Sequence, residues 1–543
     1  MRKLLAVLGG IVVLASVSGV PASATPSGDE PSEKLLCSEG SPICAEAVDA
    51  LGYEGEYTGH DEPSLLFYSG TPGSGNNQRY RLVVPADPPT MPTQDGTGGT
   101  FNFQDRIAFW FGMDLCDNQS GPEFTHAPCT PNSDTNIFDG ADPTKANYIG
   151  HHPGTAFLEL QFYPPGWVPF QDAISCDATQ WCAAMATFSL SQDLNTGQSN
   201  NAACLNSVSV EPANFAFITK SGVPHAPPSP LGATLGTFTP NRATDLFMNS
   251  GDVLSVDIHD GAAGLVTTIH DETTGQSGSM TASAANGFAQ VIFEPTSGAC
   301  HQAPYTFRPM YSTSSEHTRV PWAAHSYNVA FSDEIGHFEY CNAVSAAGDC
   351  TSNSEDALDD DDTGCFPASE SLLVPISGCI ATDNDFDGAS YQPVWPGSGN
   401  GPDSSRSTPI TFTSPLFNGS QNYSRVAFEA DLPRIEAADF GGNCNRFTGT
   451  NCVNPPPGAN FYPIYSTGKR QDFATPKPGK GSKTICVWQL GGNKIKDTTN
   501  TFGGNSAAEY GPLLFSFYPN PNPAVRLRTN NFRNVLGSNP CPA

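Results

Sequence analysis

In this 543-residue chain, Asp333-Glu334-Ile335-Gly336-His337-Phe338-Glu339 gathers carboxylates and an imidazole within seven residues. Carboxylates and an imidazole this close can act as an acid/base pair, because a partly buried groove pushes neighbouring pKa values apart. Asp333, His337 and Glu339 are the candidates, although Gly336 also lets the segment read as an exposed bend between strands. A second group is Tyr148-Ile149-Gly150-His151-His152-Pro153-Gly154, which leads into a run bearing Glu159 and Gln161. Adjacent histidines point apart on a strand, but in a Gly/Pro turn His151 and His152 can reach a site beside the next strand. Glu159 and Gln161, between Phe157 and Tyr163, suit a sugar: carboxylate and amide for hydroxyls, rings for its apolar faces. A polar outer face would give the same pattern. If the chain is an enzyme, Glu159 as acid and Glu339 as base would supply glycosidase chemistry.

The best cation signal is Asp383-Asn384-Asp385-Phe386-Asp387-Gly388. Alternate aspartates before a glycine let a turn aim hard oxygen ligands inward, so Asp383, Asp385 and Asp387 point to structural calcium. Only half of a helix–loop–helix calcium loop is present, since Val394 stands where the bidentate glutamate belongs. An ordinary Asp/Gly turn is the competing reading. There is no GxSxG, HExxH or Walker loop, which removes the commonest serine hydrolases, zincins and phosphate enzymes.

These residues need elements to hold them, and the surrounding pattern is β. In 105–114, Ile107, Phe109, Phe111 and Met113 alternate with Ala108, Trp110, Gly112 and Asp114. In 156–163, Ala156, Leu158, Leu160 and Phe162 oppose Phe157, Glu159, Gln161 and Tyr163. Each strand thus has one core face and one face mixing aromatics with polar groups, as a ligand groove or a solvated outer sheet would need. Trp110 joins Gln161 and Tyr163 as a candidate binding residue. Further on, Leu254, Val256 and Ile258 face Leu265, Thr267 and Ile269 across a loop at Asp260–Gly264, a hairpin whose partner numbers sum to 523. An echo, F-x-P-apolar-Y-S-T, recurs at 307–313 and 461–467 and raises the question of duplication.

Gly251-Asp252-Val253-Leu254, Thr273-Thr274-Gly275-Gln276-Ser277 and Ala289-Gln290-Val291-Ile292-Phe293-Glu294-Pro295 together resemble the late strands of the secreted glutamic peptidases. The resemblance covers residues 251–295 and implies a concanavalin-like β-sandwich. It places the family's catalytic glutamate on Gln290, while Glu294 fits the motif's second glutamate. Without that carboxylate the family's water-activating acid/base pair is missing, and a peptidase of this kind would need an activating carboxylate near Gln290.

Composition sets the frame. Arg2 and Lys3 precede an apolar run from Leu4 to Ala15, and Ala22-Ser23-Ala24 is a small-residue cleavage pattern, so 1–24 reads as a secretory signal. The 16 cysteines contain no CxxC pair and read as a disulfide framework. Cys37/Cys44, Cys341/Cys350 and Cys444/Cys452 are natural local staples. With 25 Lys+Arg against 54 Asp+Glu, the surface repels phosphate backbones and anionic headgroups. Neither nucleic-acid binding nor membrane insertion is expected. The 53 Gly and 48 Pro favour many turns over long helices.

The expected fold is all-β, a concanavalin-like sandwich or jelly roll, in two β domains stapled by disulfides. The divisions are a polar segment at 25–60, a main domain at 61–350, an acidic loop-rich linker at 351–400 and a smaller domain at 401–543. The expected function is binding or hydrolysis of an extracellular polysaccharide or glycan by a secreted monomer. A non-catalytic surface-binding or structural protein and an acid peptidase are the alternatives.

Overall fold

The computed structural model describes residues 64–86, 109–120, 155–165, 176–193, 198–309, 408–430, 465–473, 484–490 and 528–543, less single positions within them. Short strands at Cys341–Val344, Cys350–Asn353, Cys365–Phe366, Gly378–Cys379 and Leu513–Phe517 are also described. The principal strands are β1 (Ser64–Tyr68), β2 (Asn77–Val83), β3 (Phe109–Cys116), β4 (Thr155–Tyr163), β5 (Gln180–Ser189), β6 (Ala213–Phe217) and β7 (Phe247–Asn249). They continue with β8 (Val253–Gly261), β9 (Gly264–Asp271), β10 (Ser277–Ala282), β11 (Ala289–Val291), β12 (Thr411–Phe412), β13 (Arg425–Ala430), β14 (Tyr465–Arg470) and β15 (Ile485–Leu490).

The chain is mostly antiparallel β. One sheet runs β10-β9-β8-β2-β12-β15-β14, and another runs β3-β4-β5-β6 with β7 also on β5. Phe109, Phe111, Met113 and Leu115 of β3 and Ala156, Leu158, Leu160 and Phe162 of β4 share one core with Tyr80, Leu82, Leu254, Val256 and Ile258 of the other sheet. Tyr80 stacks on Phe111 with ring centroids 4.2 Å apart, and Phe412 meets Phe111 edge-on at 5.4 Å. The alternation read from β3 and β4 therefore assigns the core face correctly, because period-two burial is what two packed sheets require. β5 differs, being buried along both faces from Trp181 to Ser189. Its sheet is thus covered on the side away from this core as well.

Two expectations change. The β8–β9 hairpin forms with the expected faces, but Val256 pairs with Ile269 and Leu254 with Asp271, so partner numbers sum to 525. The turn is tighter than read: Gly261 pairs with Gly264, whose φ of +129° is a conformation glycine supplies cheaply. A shift of two residues preserves the faces, which is why patterning alone does not detect it. The expected boundary near residue 400 is crossed by a sheet, since β2 lies between β8 and β12 and β1 pairs with β13. The bridges described are Cys176–Cys182, Cys204–Cys300 and Cys486–Cys541. Two of them span 96 and 55 residues, so they tie distant segments rather than local loops. Of the expected staples, the Cys341/Cys350 segments form paired strands; Cys37/Cys44 and Cys444/Cys452 lie outside the described residues.

The α-helix described, α1 (Ala202–Val208), starts where the Asn201 side chain accepts a hydrogen bond from Cys204 N, and Cys204 bridges to Cys300. None of the described helices is long and apolar enough to cross a membrane.

Candidate functional site

Glu159 projects from the middle of β4, on the face opposite the shared core. Its cross-strand neighbours are Gly112 on β3 and Ala186 on β5, both small. The next rung is Trp110, Gln161 and Ala184. Around these small residues stand Tyr163, Phe188, Phe215, Phe217 and Phe247, with Phe157 and Phe238 packed against them. Bulky rings thus pack over small Gly and Ala residues in a second buried cluster, beside which lie one carboxyl and one amide.

The polar groups form a chain along the strand. Tyr163 Oη donates to Gln161 Oε1, and Gln161 Nε2 donates to Glu159 Oε2 at 2.5 Å. Residues i and i+2 share a strand face, so this relay needs no other element to bring its members together. Glu159, Trp110 and Tyr163 are each no more than 2% exposed, whereas Gln161 is half-buried. The rings of Trp110 and Tyr163 therefore wall the face rather than offer an open stacking platform.

Of the residues proposed from sequence, the structure brings Glu159, Gln161, Tyr163 and Trp110 onto one surface. His151, His152, Asp333, His337 and Glu339 lie outside the described residues, as do Asp383, Asp385 and Asp387. Among the described residues, no group of three or more His, Cys, Asp or Glu side chains is placed to hold a metal.

A second carboxyl–amide pair lies at the end of β3. Asp117 is fully buried and accepts hydrogen bonds from Ser189 Oγ at 2.7 Å, Gln119 N at 2.9 Å and Gln290 Nε2 at 2.6 Å. Gln290 also donates to Asn118 Oδ1 at 3.1 Å. Burial pushes the Asp117 carboxyl above its ordinary value, while the Ser189, Gln119 and Gln290 donors pull it partly back. Tyr305 donates to Cys116 O at 3.0 Å, and burial together with the Asp117 charge raises its hydroxyl. Asn214 on β6 fixes β11 by exchanging two hydrogen bonds with the Ala289 backbone, at 2.8 and 2.9 Å, which holds Gln290 in place. Five residues separate Asp117 from Gly112, the neighbour of Glu159, so the two pairs stand about 17 Å apart along the strand.

No family model, curated protein or solved structure matches this chain. Function therefore has to be argued from the two pairs themselves. The sequence flagged Gln290 and the need for a carboxylate beside it, but not Asp117. A lone Asp before an Asn-Gln-Ser turn reads as turn chemistry, and nothing local shows that its partner sits 173 residues downstream.

Proposed function

We propose that this is a secreted, carbohydrate-active protein that binds or hydrolyses an extracellular glycan, with Glu159 as its acid/base carboxyl and a concanavalin-like sandwich as its fold. The observation that carries this reading is the buried Glu159 carboxyl, held by the Gln161 amide beside Gly112, Ala184 and Ala186 and walled by aromatic rings. A carboxyl in low dielectric with small neighbours can meet a sugar oxygen without competing water, and an amide beside it can hold the adjacent hydroxyl. Enclosing walls favour hydrolysis over an open lectin platform. Under this proposal the second carboxyl comes from Glu339 or Asp333, with His337, His151 and His152 as further contacts. Asp383, Asp385 and Asp387 would hold structural calcium.

The test incubates the purified protein with an array of plant, fungal and bacterial polysaccharides, with and without EDTA, reading pull-down and released reducing ends. Reducing ends that survive EDTA and vanish in Glu159→Gln are the expected result. Silence on every glycan would overturn it.

A second reading, an acid peptidase, is favoured by one specific contact, the Asp117 carboxylate 2.6 Å from Gln290 Nε2. On this reading Asp117 would serve as the activating carboxylate that the resemblance at 251–295 requires, and burial raises its proton affinity. Digestion of denatured protein at acid pH, lost in Gln290→Ala and kept in Glu159→Gln, would select this reading over the first.

A further inference from the structure

His225 lies in the connection between β6 and β7, and both of its ring nitrogens face acceptors. Nδ1 is 2.8 Å from Asp245 Oδ1, and Nε2 is 2.9 Å from Gly236 O. A neutral imidazole carries one N–H and can satisfy only one of these acceptors as a donor; the imidazolium satisfies both. The Asp245 carboxyl is fully buried and also accepts from Asn241 N at 2.7 Å and Thr244 Oγ1 at 2.9 Å. The ring itself stacks on Phe217 of β6, 5.7 Å between centroids and 15° from parallel. Asp245 is the charged group acting on it. Nearby Lys220 and Arg242 are engaged elsewhere, Lys220 Nζ with Arg242 O at 3.2 Å and the Arg242 guanidinium with Asp177 and Gln180.

The segment that His225 fastens runs beside the Glu159 face. Gly236 belongs to the 3-10 turn Leu235–Phe238, whose Phe238 packs on Phe215 at 5.2 Å. Phe215 lies 6.3 Å from Tyr163, the phenol that orients Gln161. Phe215 N also donates to Pro228 O at 2.9 Å, which ties the segment to β6, while Thr237 Oγ1 donates to Pro227 O at 2.9 Å and joins the segment's two ends to each other.

We propose that residues 225–239 form a proton-fastened strap over the β6 end of the Glu159 face, closed while His225 is an imidazolium and loosened when the ring becomes neutral. The strap's role in access to the face rests on the Glu159 reading, but its existence does not. The hydrogen bond to Asp245 raises the proton affinity of His225, against the opposing effect of burial, and the Gly236 carbonyl adds to the rise. A raised folded value means that the added stability is complete below the unfolded imidazole value of about 6.5 and disappears as pH rises through the folded value. Acid closes the strap, and neutral to alkaline conditions open it.

Hydrogen exchange of the full-length protein, corrected for intrinsic rates, tests this without any substrate. Peptides spanning 225–239 should lose roughly tenfold in protection between about pH 5.5 and pH 8.5, while peptides from 253–271 keep theirs. In His225→Gln and Asp245→Asn that pH dependence should vanish. Equal wild-type protection at both pH values, or the same loss in both variants, would overturn the strap. If the variants fail to fold, the wild-type His225 Cε1–H resonance decides: a titration midpoint above the unfolded value supports the proposal, and one at or below it overturns it. An inert glycan screen with an intact exchange switch would sink only the functional reading.

Discussion

Glu159 and Asp117 are both buried carboxyls faced by a glutamine amide, yet Glu159 takes its amide from two residues along its own strand and Asp117 from 173 residues away. The first pair is a property of one strand face. The second joins the end of β3 to Ser189 at the end of β5 and to Gln290 on β11, so it works as a clamp between elements. A local relay can be altered while the strands stay paired, whereas a long-range clamp is part of how those strands meet. Glu159 thus has the architecture of a site that can be tuned for chemistry. Asp117 has that of a structural joint which the second reading would ask to do chemistry as well.

The largest expected effect breaks the clamp. Asp117→Ala leaves the Ser189, Gln119 and Gln290 donors without their acceptor and should cost about 3 kcal/mol or more in denaturant unfolding. Glu159→Gln keeps shape and an acceptor and should cost about 1 kcal/mol or less while abolishing any glycan cleavage. Equal losses of stability in the two variants would erase the distinction.

A second measurement uses pH. The Asp117 carboxyl binds its proton more tightly folded than unfolded, so its contribution is greatest below the unfolded value of about 3.9 and is lost as pH rises through the folded value. Unfolding free energy measured from acid to neutral pH should therefore fall more steeply in the wild type than in Asp117→Asn. The sign of that difference follows from the raised carboxyl, a steeper fall in the wild type than in the variant. Parallel curves would show that Asp117 stays equally ionised in both states.

The smallest effect sharpens the contrast. Tyr163→Phe removes the donor to Gln161 Oε1 and should cost about 0.5 kcal/mol. In a double-mutant cycle it should couple to Glu159→Gln through Gln161, yet add independently to Gln290→Ala, because the two pairs are far apart. Coupling between Tyr163 and Gln290 would mean that the pairs form one network.

The elements that carry Glu159 are legible because alternation has a single physical cause, burial of one sheet face. Strands β3 and β4 and the faces of the β8–β9 hairpin follow from it. The hairpin register does not, since a slip of two residues leaves every side chain on its expected face and only the turn between Gly261 and Gly264 chooses. The covering of the second face of β5 is visible only as a run of Cys, Ala, Ala, Met and Ala, which a buried helix segment would match equally well. His225 is not legible in the sequence because one histidine among prolines carries no pattern; its acceptors lie 11 and 20 residues away.

What the sequence determined alone is therefore what depends on neighbours along the chain: the β class, which faces look inward, and the Glu159–Gln161–Tyr163 row, whose members share a face through the strand's own period of two. Tertiary structure decided the rest: Asp117 meeting Gln290, Asp245 meeting His225, Cys204 meeting Cys300, and β2 lying between β8 and β12 across the expected domain boundary. Hydrogen bonds, ion pairs and disulfides have short reach. A pair separated by many residues exists only after the core has packed and brought its members within that reach, and the local sequence around either member does not record the meeting.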